Sequence, residues 1–120
     1  MKKLNEKEGE KELIERLKKR KKIRMQFPTK SGRIEIRECE ILGYVIHRQS
    51  NAPHKYFVLD KIKLNWPQEP ARKKELRIGY YILGKKKERF NKWTWGQSAP
   101  LIPPKDLRIL LCKAKNKRLI

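Results

Sequence analysis

Apolar and polar residues alternate along much of the chain after residue 33, and a period of two is typical of β-strands whose two faces differ. The alternation is clearest over residues 55–66, which place on one face Tyr56, Val58, Ile62, Leu64 and Trp66. Residues 75–83 repeat the pattern, with Arg77 and Tyr81 opposite an apolar face of Leu76, Ile78, Tyr80 and Ile82. A sheet is therefore the structure around which this chain is expected to fold.

Two further strands complete the predicted sheet. Residues 33–47 alternate with a change of phase around Glu38, where we expect a bulge or bend. A basic loop over residues 84–92 leads to the last strand, in which Trp93 and Trp95 point to the same side. The turns between these stretches are short, so four strands in meander order are predicted.

Helices are predicted at both ends of the chain. From Asn5 to about Arg24 there is no proline, and Asn5 and Glu8 are spaced like a capping box. The main apolar residues of this segment are few: Leu13, Ile14 and Leu17. We therefore expect an arm that can become ordered when it binds a partner. Pro104 begins the second helix, whose stripe is expected to cover the sheet: Leu107, Leu110, Leu111 and Ala114.

These elements predict an α+β fold. It consists of an antiparallel meander of about four strands, a C-terminal helix packed on one face and a basic N-terminal helix. A small barrel of the SH3 or OB kind is the alternative, because curvature near Glu38 and Gly43 could close the sheet. We expect residues 1–30 to form the basic helix, or arm, and a linker, and residues 31–120 to form one compact domain.

Charge indicates the class of partner. The 120 residues include 33 Lys and Arg against 13 Asp and Glu, a formal net charge of +20. Self-repulsion of this size destabilises a compact chain, and a polyanion such as nucleic acid relieves it. The alternative interpretation is a set of solvated faces in a lysine-rich chain, a composition that is also typical of thermophiles.

The sequence predicts an accessory or architectural module that binds nucleic acid, with DNA slightly ahead of RNA. Lysines would contact phosphates, whereas Arg77, Tyr81 and the tryptophans would contact bases. Core packing is the competing interpretation of Trp93 and Trp95. The predicted binding residues are Lys18, Lys19, Arg20, Lys21, Lys22, Arg24, Arg72, Lys73, Lys74, Arg77, Tyr81, Lys85, Lys86, Lys87, Arg89, Lys92 and Trp93.

Other functions have weaker support in the sequence. A ribonucleoprotein subunit or an inhibitor of a nucleic-acid enzyme would need a protein partner, which the N-terminal helix could bind. A metal-dependent nuclease needs two carboxylates and a lysine, and the nearest match is Asp60 with Glu75 and Arg77. His47 and His54 lack a matched carboxylate or thiol. No catalytic residue, metal site or cofactor is predicted.

Cysteines and hydropathy suggest a compartment. Cys39 and Cys112 have no partner at metal-binding spacing, and we expect both to be buried, reduced thiols. The N-terminal residues turn acidic where a signal peptide would be apolar, and no run of about 18 apolar residues occurs. A cytoplasmic protein without a membrane partner is the expectation.

Overall fold

The structure is a computed structural model, and it describes residues 6–65, 73–84, 92–96 and 99–120. The elements follow in the order α1 (Glu6–Lys18), β1 (Lys22–Pro28), β2 (Ile34–Arg48), β3 (Lys55–Leu64), β4 (Lys74–Leu83), β5 (Trp93–Trp95) and α2 (Pro104–Asn116).

The five strands form one antiparallel sheet in the order β1-β2-β3-β4-β5. Each strand pairs with the next along the chain, so the sheet is a meander, and it curves into a half-barrel with a helix from each end of the chain. The predicted α+β fold is confirmed. Within the described residues β1 and β5 are the two edges of the sheet, so the closed barrel that was the alternative does not form.

The additional strand, β1, lies where the first helix was expected to continue. That helix ends at Lys18, and Lys22–Pro28 pairs with β2. The reason is a period of two that the surrounding cations obscure: Ile23, Met25 and Phe27 alternate and pack around the buried side chains of Cys39, Ile62 and Leu64. A helix would have placed Met25 on the side opposite Ile23 and Phe27.

The sequence predicts a bulge or bend in β2 around Glu38, and the structure has the irregularity a few residues later. The register with β3 shifts between Ile41 and Gly43, which leaves Leu42 as the extra residue. Gly43 lies beneath Leu119, because a Cβ atom at this position would be 2.7 Å from Leu119 Cδ2. The missing side chain lets the chain after α2 approach the sheet at the bulge.

Strand β3 is buried on both faces, since every residue from Tyr56 to Asp60 is buried. On one face, Leu13 and Leu17 of α1 pack with an apolar cluster of Tyr56, Val58, Tyr81 and Trp93. On the other face, α2 and the residues after it pack with a second cluster of Val45, Phe57, Leu59, Leu110, Ala114 and Leu119. The sheet therefore lies between the two helices.

This packing corrects the expectation that α1 is an arm with little to bury. Leu13 and Leu17 are fully buried, so two of the three apolar residues that were assigned to a protein partner belong to the core. The predicted boundary between residues 1–30 and a compact domain of residues 31–120 stays a prediction.

The buried stripe of α2 agrees with the prediction at Leu110 and Ala114, but it includes Asp106 in place of Leu107. Asp106, Leu110 and Ala114 are fully buried, whereas Leu111 is exposed. Both cysteines are free thiols, but only Cys39 is buried, and Cys112 lies on the exposed side of α2.

Candidate nucleic-acid interface

The face of the sheet that was predicted to read bases lies beneath α1. Tyr81 is 5% exposed, and its ring lies between the guanidinium of Arg16, 5.3 Å from the ring centroid, and the edge of Trp95. Trp93 is 6% exposed and its indole nitrogen donates to the carbonyl of Gly9 at 3.0 Å. A base stacks on an open ring. In this fold Tyr81 and Trp93 instead hold α1 on the sheet.

Arg20 and Arg77 converge on one buried carboxylate. Arg20 donates to both oxygens of Asp60, at 3.2 and 2.7 Å, and Arg77 Nη2 donates to Asp60 Oδ2 at 2.8 Å. Asp60 is fully buried, and its two partners are mostly buried. The planar donor groups that could read guanine are therefore bound to a carboxylate within the protein.

The same cluster disfavours the nuclease hypothesis. A divalent metal ion needs the oxygen lone pairs of Asp60, but two guanidinium groups already bind them. The positive charges of Arg20 and Arg77 also repel any metal ion placed beside Asp60. Among the residues that the structure describes, no group of three or more His, Cys, Asp or Glu side chains is placed to hold a metal ion.

Part of the sheet is covered by neither helix. On its α2 side, α2 packs over Val45, Phe57 and Leu59, and no helix of the described chain packs over the ends of the strands beyond them. The register places Lys22 opposite Glu40, Glu40 opposite Lys63, and Lys63 opposite Lys74, and residues directly opposite in antiparallel strands share a face. We call this surface the uncovered face; its residues are Lys22, Arg24, Glu38, Glu40, Lys61, Lys63, Lys74 and Leu76.

The uncovered face is positively charged, with five cations and two carboxylates in that set. Lys22 forms an ion pair with Glu38 at 3.4 Å, and both side chains are more than half exposed. Such a pair contributes little to stability. Lys63 and Lys74 lie directly opposite each other on neighbouring strands, and neighbouring strands are about 4.8 Å apart. Their ammonium groups are in water and can contact phosphates without disturbing the fold.

The hairpin of β1 and β2 extends this surface. β3 ends at Leu64, opposite Cys39, so within the described chain residues 34–38 pair with β1 alone. Ile34 is 66% exposed and Ile36 is 61% exposed on this projecting ribbon. The turn at its end carries two exposed cations, Lys30 and Arg33.

The other predicted cations are distributed over several places. Lys18, Lys19 and Lys21 are exposed where α1 ends, and Lys18 contacts Glu15 at 3.8 Å. Lys73 is exposed beside the uncovered face, and Lys92 is exposed before β5. Five predicted residues lie outside the described residues: Arg72, Lys85, Lys86, Lys87 and Arg89.

A polar cluster that the sequence did not predict holds α2 to the turn after β2. His47 Nε2 lies 2.8 Å from Asp106 Oδ1, and the amide and hydroxyl of Ser50 donate to Asp106 Oδ2 at 3.2 and 3.1 Å. Burial acts to raise the pKa of Asp106, but the hydrogen bonds from His47 and Ser50 outweigh it and the pKa is lowered. Because 59 residues separate His47 from Asp106, no local motif could have indicated this contact.

No protein-family model, curated protein or solved structure matches this chain. No helix in the described ranges has the length and apolar character needed to cross a membrane.

Proposed function

We propose that this protein binds nucleic acid by its phosphate backbone, as an accessory or architectural module. The uncovered face and the turn of the β1–β2 hairpin are the docking surface. The observation that carries the proposal is a row of three lysines and one carboxylate across the sheet, on a face that neither helix covers: Lys22, Glu40, Lys63 and Lys74. Exposed lysines bind phosphates by releasing the counterions that surround a polyanion.

Phosphates are a better-supported target than bases. Lysine is a point charge that positions a protein on a backbone and reads no sequence. Two side chains could have read bases, but Arg77 binds Asp60 and Tyr81 packs beneath α1. The proposed binding is therefore weakly dependent on sequence. DNA is the first polymer to test, with RNA second, and the cytoplasm is the proposed compartment.

The test compares two variants that remove the same charge. One is Arg24→Gln, Lys63→Gln and Lys74→Gln on the uncovered face. The control is Lys105→Gln, Arg108→Gln and Lys115→Gln, three exposed cations of α2. Fluorescence anisotropy with labelled duplex and single-stranded oligonucleotides reports the dissociation constant, which we expect near micromolar for the unchanged protein at low salt.

The uncovered-face variant is expected to bind at least about tenfold more weakly than the control variant on every oligonucleotide sequence. Equal losses in the two variants would show that net charge alone attracts nucleic acid, and would remove the uncovered face from the proposal. No detectable complex of the unchanged protein at low ionic strength would refute the function itself.

A further inference from the structure

The edge of β2 has no neighbouring strand over residues 42–48 in the described chain, because β1 pairs with residues 34–40. The amide of Gln49 donates to the carbonyl of Lys55 at 2.9 Å, which sets the phase of the hydrogen bonds between β2 and β3. In an antiparallel pair, residues whose N–H and C=O groups bond to the neighbouring strand alternate with residues whose N–H and C=O groups point away from it. The N–H and C=O groups of Tyr44 and Ile46 therefore point away from β3.

Lys113, in the last turn of α2, and Lys117, the residue directly after α2, cap the two outward carbonyls. Lys117 Nζ donates to the carbonyl of Tyr44 at 2.7 Å, and Lys113 Nζ donates to that of Ile46 at 2.9 Å. The spacings match, because four residues of a helix rise about 6 Å and two residues of a strand about 6.8 Å. The amides of Tyr44 and Ile46 have no acceptor among the described residues. This edge thus offers two free amide donors, and two carbonyls that are bound by exposed ammonium groups.

A shallow cleft of about 500 Å³, widely open to solvent, lies along this edge between the two helices. Glu10 and Ile14 of α1 line one side, and Lys113 of α2 lines the other together with Lys117, the residue directly after α2. Because α1 and α2 cover opposite faces of the sheet, a strand added in the plane of the sheet would lie between them.

We propose that this cleft binds an acidic peptide in extended conformation, which adds to the sheet as a strand beside β2. The peptide's N–H groups replace the lysines at the carbonyls of Tyr44 and Ile46, and its carbonyls accept from the two amides. Lys113 and Lys117, once released, bind the peptide's carboxylates in charge-assisted hydrogen bonds. This site is distinct from the uncovered face and does not depend on the proposed binding of nucleic acid.

The two sides of the cleft define which residues the peptide carries. Successive side chains of a strand point to opposite faces, so every second side chain of the peptide faces α2 and its lysines. The others face Ile14, where Glu10 disfavours a second carboxylate. The proposed ligand therefore alternates acidic with apolar residues.

The test uses a capped peptide of about seven residues in which Glu alternates with Val, enough to span the free edge. The control peptide has the same composition with its Glu residues grouped together. Amide hydrogen exchange is followed by NMR on the whole protein. The alternating peptide is expected to slow exchange at the amides of Tyr44 and Ile46 by at least about tenfold, and the grouped peptide is expected to leave them unchanged. Unchanged exchange with bound alternating peptide overturns the proposal.

Two double variants distinguish binding of the peptide in the cleft from nonspecific attraction of an acidic peptide to a basic protein. Lys113→Gln with Lys117→Gln should weaken the alternating peptide at least about tenfold, whereas Arg108→Gln with Lys115→Gln, equal in charge on the exposed side of α2, should have little effect. Equal weakening refutes the site. A single-stranded oligonucleotide that protects the amides of Tyr44 and Ile46 through the same lysines would also refute it, because the cleft would then bind phosphates. The exchange measurement on the unchanged protein remains decisive if a variant fails to fold.

Discussion

Arg20 binds both carboxylate oxygens of Asp60, with Nη1 3.2 Å from Oδ2 and Nη2 2.7 Å from Oδ1. Arg20 follows directly on α1 and Asp60 lies in the central strand, so the pair fixes the end of the helix to the middle of the sheet. Arg77 of β4 binds the same carboxylate from the neighbouring strand. Three parts of the fold therefore meet at a single buried acid.

Removing that acid is expected to destabilise the protein strongly. Asp60→Asn leaves the guanidinium groups of Arg20 and Arg77 mostly buried without their counter-charge, and losing one partner of a buried ion pair costs about 3–5 kcal/mol. Urea denaturation measures the loss. The control is Glu38→Gln, which breaks the exposed pair with Lys22 and should cost less than about 1 kcal/mol. Similar losses in both variants would contradict the structural role of Asp60.

Asp106 is expected to make the protein sensitive to acid. Its pKa is lower in the folded protein than in the unfolded chain, where it is about 4. The unfolded state therefore binds the proton more readily. The stability that Asp106 contributes is complete well above pH 4 and is lost as the pH falls through its native pKa.

The measurement is the free energy of unfolding of the protein and of Asp106→Asn between about pH 6 and about pH 2.5. The variant is expected to be less stable at the upper end and to lose less on acidification. Parallel curves would show that Asp106 does not contribute to the acid sensitivity.

The packing of α1 on the sheet predicts a large effect of Leu17→Ala. Leu17 is fully buried in the cluster with Tyr56 and Val58, so its truncation should cost about 2–5 kcal/mol. Leu101→Ala is the matched control, because Leu101 is 86% exposed and its loss should change stability by less than about 0.5 kcal/mol. Thermal or urea denaturation distinguishes them. A value for Leu17→Ala near that of the control would indicate that α1 is the arm expected from the sequence.

The proposed docking surface predicts a change in salt dependence as well as in affinity. Each phosphate contact on duplex DNA contributes about 0.9 to the slope of log affinity against log salt. The variant Arg24→Gln, Lys63→Gln, Lys74→Gln should therefore have a slope lower by about 2 to 3 than that of the unchanged protein. Titrations at several salt concentrations provide the slopes. An unaltered slope would mean that these three side chains do not touch phosphates.

The meander could be predicted because each strand carries its own alternation. Arg77 and Tyr81 were correctly assigned to the face opposite Ile78 and Tyr80, and the register confirms this: Asp60 lies opposite Arg77, and Phe57 opposite Tyr80. Strand β1 was missed because cations occupy its exposed positions and continue the basic run of the preceding helix. Three medium-sized apolar residues, Ile23, Met25 and Phe27, were the signal that could have revealed it.

The candidate site was harder to predict, because exposure depends on what packs above a side chain. The sequence placed Lys63 in a strand and Lys74 in a basic cluster. That the two lysines lie opposite each other follows from the register of β3 and β4. The sequence could not show that Leu13 and Leu17 pack on the sheet, since the partners of these two residues come from four different strands.

Local periodicity determined the two helices, strands β2 to β5 and their order in the meander, but not β1, and composition alone determined the large positive charge. Tertiary structure decided which face of the sheet is open, which cations remain in water, and that Asp60 binds two arginines. The reason is physical: periodicity is a property of neighbours in the chain, whereas burial and ion pairing depend on groups that only the folded chain brings together. Asp60 and Arg20, 40 residues apart, illustrate that dependence.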